Sequence, residues 1–302
     1  MRSGFPIIYE QPVFRPPGEA QSLLLQVTTG CSHNRCTFCA MYRGKSFRVR
    51  PLAEIQRELT LCADYFARRG ETVRKIFLCD GDALAAPSAH LLGVLDRVHT
   101  CFPALRRIGI YATAANVRAK TDTELALLGK RKLTLAYIGL ESGSDAVLRA
   151  VNKGNNAAEV VEAAQRLSQH GWQTSLIVML GLNGRAFASA HREETAMVIS
   201  QTPARFLSFL TTVAVPNTPY FRAIEAGDIQ PLTSRELLEE MHYLIAHIDC
   251  PKPVIFRANH VSNQFPLEGV LSKDRAKLLS TLEQWIRSCP ANLYPDANPF
   301  LL

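Results

Sequence analysis

The chain of 302 residues is 47% hydrophobic, which is enough to bury a substantial core and fits one α/β barrel as readily as two smaller domains. No stretch approaches the roughly 18 to 20 uninterrupted apolar residues of a membrane span, and Met1 to Glu10 lacks a signal-peptide pattern, so a cytoplasmic location is expected. The net charge of +7 suits an anionic partner, yet the basic residues are scattered, and eight cysteines are too few and too uneven for a disulfide framework, which leaves metal binding or burial.

A strand is predicted at Leu23 to Thr28, leading straight into a loop that holds Cys31, Cys36 and Cys39. After Pro51, the residues Leu52, Ile55, Leu59, Cys62 and Phe66 recur at spacings of three and four and make one apolar helix face ending at Gly70, which assigns Cys62 to the core. Further strands are predicted at Lys75 to Cys79, Ile108 to Ala112, Leu135 to Leu140, Ser175 to Leu180 and Phe206 to Val213. Helices are predicted around Ala89 to Cys101, Thr121 to Leu128, Ala157 to His170 and Ala190 to Ser200.

Six β-then-α units imply a parallel sheet with right-handed crossovers, and six strands fall short of the eight of a full TIM barrel. The expected fold is α/β, a partial (β/α)6 TIM-like barrel with a mainly helical C-terminal extension. That extension carries predicted helices at Tyr220 to Ala226, Ser234 to Ile248 and Lys273 to Arg287, a strand at Val254 to Arg257, and an extended segment from Cys289 to Leu302. The expected divisions are an N-terminal extension over 1–21, a core over 22–219 and the C-terminal extension over 220–302.

The segment Thr29-Gly30-Cys31-Ser32-His33-Asn34-Arg35-Cys36-Thr37-Phe38-Cys39 puts three thiolates in one short loop, which is how a cubane cluster is gripped by a short run of backbone. Three thiolates bind three irons and leave the fourth open, which separates a catalytic cluster from an electron carrier. Spacing alone also permits a zinc site built from Cys36 and Cys39 with Cys31 and His33. Structural zinc sites usually draw a second ligand pair from a distant segment, and Cys62, Cys79, Cys101, Cys250 and Cys289 form no second Cys-x2-Cys.

Cys-x4-Cys-x-Phe-Cys directly after a first strand resembles the radical S-adenosylmethionine (SAM) superfamily, whose usual spacing is Cys-x3-Cys-x2-Cys with an aromatic, here Phe38, before the last ligand. One extra residue separates the first two ligands, a departure that bears on subfamily. The similarity covers Ser22 to Pro219. It implies a [4Fe-4S] cluster on Cys31, Cys36 and Cys39, SAM on the open iron, and an electron that cleaves the sulfonium to methionine and a 5′-deoxyadenosyl radical, which abstracts hydrogen from a substrate. It also implies a flavodoxin or ferredoxin reductant.

The resemblance extends to later segments. Cys79-Asp80-Gly81-Asp82 stands where the family places a Gly-Gly-Glu-like segment that receives the SAM ammonium group, and here the acid is Asp. Gly139-Leu140-Glu141-Ser142-Gly143-Ser144 resembles the family's Gly-Leu-Glu/Gln-Ser-Gly-Ser segment, most like the branch with methylthiotransferases, Elongator-type catalytic subunits and oxygen-independent coproporphyrinogen oxidases. This implies ribose contacts by Glu141, with Ser142 beside it, while Lys153 stands where relatives use Arg against the SAM carboxylate; Lys supplies the charge without the bidentate fork. Thr113 and Asn116 suit either ribose or substrate groups, or the cap of the next helix.

The basic run Tyr42 to Arg50 suits an anionic substrate, an electron donor or a solvated loop. His242 and His247 are five apart, outside the i, i+4 spacing of a helical metal site. The leading expectation is a cytosolic, oxygen-sensitive radical SAM enzyme of unknown substrate, with nucleic acid a less favoured substrate. The alternative is a non-catalytic iron–sulfur or zinc-binding sensor.

Overall fold

A computed structural model of the chain describes residues 4–295. Its strands are β1 (Leu23–Gln26), β2 (Thr28–Thr29), β3 (Arg48–Val49), β4 (Lys75–Cys79), β5 (Arg107–Ala112), β6 (Leu133–Glu141), β7 (Gln173–Leu180), β8 (Phe206–Thr211), β9 (Ile255–Ala258) and β10 (Leu267–Val270). The helices are α1 (Leu52–Arg68), α2 (Ser88–Cys101), α3 (Ala114–Ala119), α4 (Asp122–Lys130), α5 (Asp145–Ala150), α6 (Ala157–Gln169), α7 (Ala188–Gln201), α8 (Pro219–Glu225), α9 (Ser234–His247) and α10 (Leu271–Ser288).

One eight-stranded sheet runs in the order β1-β4-β5-β6-β7-β8-β9-β10. The pairs β1/β4, β4/β5, β7/β8 and β8/β9 are parallel, and β9/β10 is antiparallel. This is the α/β fold expected, a mostly parallel sheet consistent with a partial barrel, followed by a largely helical C-terminal part. Two features go beyond the sequence expectation. The strand predicted at Leu23 to Thr28 breaks at Val27, and Thr28 and Thr29 pair antiparallel with Val49 and Arg48 in a separate two-stranded sheet. The main sheet also gains β9 beside β8, with β10 closing its edge.

By its contacts the chain divides into two compact units. The first comprises the stretch ending at Asn34, Met41–Tyr137 and Arg166–Gln173. Its core is the fully buried run of Leu25, Ile76, Phe77, Leu78, Ile108 and Ile110 from β1, β4 and β5. Helix α1 buries Ile55, Leu59 and Cys62, the stripe its spacing predicts, and Gly70 follows with φ +66°, a conformation that costs glycine no Cβ clash. Burial pushes the Cys62 thiol up to about 12, so it stays a neutral core residue at physiological pH. Glu19 is also fully buried, and its charge is met by Arg107 Nη2 at 2.5 Å, Tyr137 Oη at 2.7 Å and Ser22 Oγ at 2.5 Å.

The second unit comprises Arg35–Ala40, Ile138–Gln165 and the stretch from Thr174 onward. Helix α9 begins with a reciprocal cap in which Thr233 Oγ1 accepts from Glu236 N–H while Glu236 Oε2 accepts from Thr233 N–H, and it buries Leu237, Met241, Leu244 and Ile245. The extended segment predicted from Cys289 onward falls partly on 296–302, outside the described residues. Among the described residues no helix is long and apolar enough to cross a membrane.

Candidate cofactor site

In the first unit, Gly30 carries the chain into the cysteine loop with φ +72°, and a Cβ there would lie 3.0 to 3.1 Å from the backbone of Lys45, Ser46 and Phe47. Asp80, at the end of β4, holds this entry in place. Its Oδ2 accepts from Gly30 N–H at 2.9 Å and Lys45 Nζ at 2.8 Å, and its Oδ1 accepts from Gln26 Nε2 at 3.1 Å. Lys45 donates in addition to the carbonyls of Glu10 and Pro12 at 2.5 and 2.8 Å, so both buried charges are satisfied. Gly81 N–H returns a bond to Gly30 O at 3.1 Å, and a Cβ on Gly81 would fall 2.8 Å from Cys31 Cβ and from the Tyr42 ring. Within the loop Asn34 adopts φ +44° and donates Nδ2 to Tyr42 O at 2.9 Å.

Asp82 differs from Asp80. Its Oδ2 accepts from Ser32 Oγ at 2.5 Å, from Thr113 Oγ1 at 3.3 Å and from Asn116 Nδ2. Its Oδ1 is buried without a hydrogen-bond partner. Burial pushes the Asp82 carboxyl above the usual carboxylate range despite the donors on Oδ2. A buried anion with one oxygen unmet is a ready acceptor for a cation. Thr113 also caps α3 by accepting from Asn116 N–H at 3.2 Å, which is the capping expected of it.

In the second unit, the Cys36 to Cys39 turn is closed by Cys39 N–H donating to Cys36 O at 3.3 Å. Thr37 N–H donates to Val151 O at 2.9 Å, and Thr37 O accepts from Tyr220 N–H at 3.2 Å, which ties the turn to the ends of α5 and α8. Phe38 packs on Val147, Val151, Leu182 and Tyr220, so its ring anchors the turn from an apolar bed.

Glu141 closes β6 in the left-handed region, with φ +63°, a conformation that costs a non-glycine residue about 1 kcal/mol or more. Its Oε1 accepts from Lys153 Nζ at 2.7 Å, and its Oε2 is buried without a hydrogen-bond partner. Burial disfavours the Lys153 charge, but Glu141 outweighs it, with Cys36 and Cys39 adding to the effect, and the ammonium is held above its usual range. A Cβ at 139 would strike Glu141 Oε1 and lie 2.8 Å from Lys153 Nζ, so a side chain there displaces the ends of both.

Two residues of this neighbourhood escape the sequence reading. His191 on α7 and Glu240 on α9 are buried, with His191 Nδ1 at 2.8 Å from Ser142 Oγ and Nε2 at 3.4 Å from Glu240 Oε1. The available signal is Glu240 itself, a carboxylate set between Leu237, Met241 and Leu244 on an apolar stripe. The histidines weighed instead lie elsewhere: His242 Nε2 stands 3.6 Å from Glu283, and His247 stacks on Tyr243 at 3.9 Å. In the basic run, Lys45 is buried, Arg50 pairs with Glu58 at 2.6 and 2.9 Å, and Arg48 meets Glu10 at 2.8 Å.

The mostly parallel sheet of a partial barrel, with three cysteines in the loop after β2 and buried acids with one oxygen unmet at the ends of β4 and β6, presents the donor types that a bound cofactor needs. The chain belongs to the radical SAM superfamily, whose family model matches residues 25–191, more than half its length. Over 201 residues it is 26% identical to the tRNA-2-methylthio-N(6)-dimethylallyladenosine synthase of Bifidobacterium adolescentis, covering 63% of this chain and 39% of that protein. Over 149 residues it is 30% identical to the threonylcarbamoyladenosine tRNA methylthiotransferase MtaB of Rickettsia prowazekii, covering 47% of this chain and 34% of that protein. Its fold matches that of coproporphyrinogen III oxidase (HemN) from Escherichia coli with a TM-score of 0.59 at 17% identity, over 74% of this chain and 51% of the other. These relatives come from the branch that the Gly139 to Ser144 motif resembles. The chain spans well under half the length of either methylthiotransferase.

Members of the superfamily use a [4Fe-4S] cluster and SAM. The donor chemistry here fits both: three partly exposed thiols in one loop suit iron, and Asp82 Oδ1 and Glu141 Oε2 are buried acceptors suited to the polar groups of SAM. Among the described residues no group of three or more His, Cys, Asp or Glu side chains stands ready-made for a single metal ion, so the ligand assignment rests on donor type and spacing.

Proposed function

We propose that Cys31, Cys36 and Cys39 hold a [4Fe-4S] cluster and that the chain binds SAM with Asp82, Glu141 and Lys153 to generate a radical that abstracts hydrogen from its substrate. When bound, cluster and SAM supply the difficult chemistry, reductive cleavage of the sulfonium to methionine and a 5′-deoxyadenosyl radical. The protein's own residues bind and orient. Asp82 Oδ1 accepts from the SAM ammonium, while Ser32, Thr113 and Asn116 keep its other oxygen occupied and its carboxylate aimed. Glu141 Oε2 accepts from the ribose hydroxyls, and Lys153 neutralises Glu141 while offering its remaining N–H groups to the SAM carboxylate. Asp80 and Gly81 act on the loop: Asp80 anchors Gly30, and Gly81 lets backbone pack against Cys31.

The observation that carries this reading is the pair of unmet buried oxygens, Asp82 Oδ1 and Glu141 Oε2. Each belongs to a side chain tied to the neighbourhood of the cysteines within its own unit, through Ser32 beside Cys31 and through Lys153 beside Cys36 and Cys39. Flavodoxin or ferredoxin is the reductant this chemistry calls for. Both methylthiotransferase relatives are named for tRNA modifications, which makes RNA the first substrate to test. Against it, Lys45 and Arg50 of the basic run are engaged within the protein and not displayed.

Anaerobic reconstitution with iron and sulfide, followed by metal analysis, tests the ligand set. Close to four irons per wild-type chain is expected, with a sharp loss in Cys31→Ala, Cys36→Ala and Cys39→Ala. Zinc retained in place of iron, or unchanged iron in all three variants, would overturn the assignment.

A further inference from the structure

The geometry points to a positioning relay, His191–Ser142, that holds the Glu141 turn in its SAM-binding conformation; this rests on the reading of Glu141 proposed above. Three observations converge. Ser142, His191 and Glu240 are all buried, with exposures of 0, 0 and 3%. Ser142 Oγ is hydrogen-bonded to His191 Nδ1 at 2.8 Å, while Glu240 Oε1 lies 3.4 Å from His191 Nε2 without a hydrogen bond to it and accepts from Gly181 N–H at 2.8 Å. The residue before Ser142 is Glu141, at φ +63°, a backbone conformation that persists only where its surroundings enforce it.

The direction of the relay follows from its serine: an oxygen that already accepts a backbone N–H keeps its own proton for His191 Nδ1. Ser142 Oγ in turn accepts from Ser144 N–H at 3.0 Å. Donor and acceptor are thus both in use inside the protein, so Ser142 acts on SAM through the backbone it fixes and not by contact. The three residue types resemble a hydrolytic triad, but a fully buried serine gives no substrate access to its hydroxyl.

Helix α7 clamps the same turn a second time. Thr195, one helical turn after His191, accepts from Gly143 N–H at 2.7 Å, and a Cβ on Gly143 would overlap the backbone of Glu194. Two bonds from one helix face therefore fix residues 142 and 143, and the carboxylate preceding them is aimed as a result.

The test uses reconstituted protein and reads equilibrium SAM binding, iron content and thermal midpoint for four variants. In His191→Asn the amide reaches the Nδ1 position and keeps the Ser142 bond; in His191→Gln it reaches the Nε2 position and loses that bond. Both shrink the ring and should lower the midpoint alike. Ser142→Ala and His191→Gln are expected to weaken SAM binding about fivefold to tenfold, the worth of one buried hydrogen bond, while His191→Asn stays within about twofold of wild type. Glu141→Gln serves as the reference. If it weakens SAM binding while His191→Asn and His191→Gln bind SAM equally, the relay is overturned and the Glu141 reading stands. If Glu141→Gln binds SAM as wild type does, the Glu141 reading fails and the relay's purpose with it.

Discussion

Asp82→Asn should make the protein more stable and a worse binder of SAM. The wild-type carboxylate is buried, its Oδ2 takes three donors, and its Oδ1 takes none. Asparagine keeps a carbonyl oxygen for Ser32, Thr113 and Asn116 and places an unmet NH2 where Oδ1 stood, so the gain comes from removing the buried charge and is about 1 kcal/mol. For a chain of this size each kcal/mol moves the thermal midpoint by roughly 2–4 °C. The pH dependence has a definite sign. Because the folded-state pKa of Asp82 lies above its ordinary 3.8, the native state binds the proton more tightly than the unfolded chain, so wild type loses stability as pH rises from 3.8 through the raised value. Asp82→Asn lacks that loss, and its advantage should grow across this window and level off above it. Losing a charge-assisted contact to an ammonium group costs about 1.5–3 kcal/mol, or roughly 10- to 100-fold in Kd for SAM. Thermal melts between pH 4 and 8 and calorimetric SAM titration read both effects. A destabilised variant with wild-type SAM affinity would refute the reasoning, since it would make Asp82 a structural acid.

Gly139→Ala should split the Glu141–Lys153 pair, because the new methyl group occupies the space of Glu141 Oε1; a loss of about 1–3 kcal/mol is expected in denaturant unfolding, shrinking to under about 1 when the carboxylate and its partner are first removed with Glu141→Ala and Lys153→Met. Equal losses in the two backgrounds would show that the glycine is needed for strand packing alone. Lys45→Met leaves Asp80 with Gly30 N–H and Gln26 only and should cost about 3–5 kcal/mol, with less iron retained by the cysteine loop; a variant as stable as wild type would remove Asp80 from its anchoring role. His242→Ala and His247→Ala, at a half-buried and an exposed position of α9, should leave iron content and SAM binding within about twofold of wild type.

The strands of the barrel were legible because each is a short apolar run followed by a helix of clear period, as with Lys75–Cys79 and α2. Short elements were not. Helices α3 and α5 span six residues each, too few for a 3.6-residue period to declare itself, and β10 is a four-residue edge strand reading Leu-Glu-Gly-Val. The candidate site shows the same divide. Residue types announced the acids at 80, 82 and 141, but nothing local distinguished Asp80, consumed by Lys45 from 35 positions away, from Asp82, which keeps one oxygen unmet. Long-range partners also hid His191, whose contacts to Ser142 and Glu240 each span 49 residues.

The measurement that bears most directly on the proposed chemistry is the yield of 5′-deoxyadenosine when the reconstituted protein is reduced with dithionite in the presence of SAM under strict anaerobiosis. Product in wild type that disappears in Cys36→Ala is the predicted result. A protein that carries its full complement of iron and binds SAM yet forms no 5′-deoxyadenosine, alone or with RNA supplied as substrate, would contradict it.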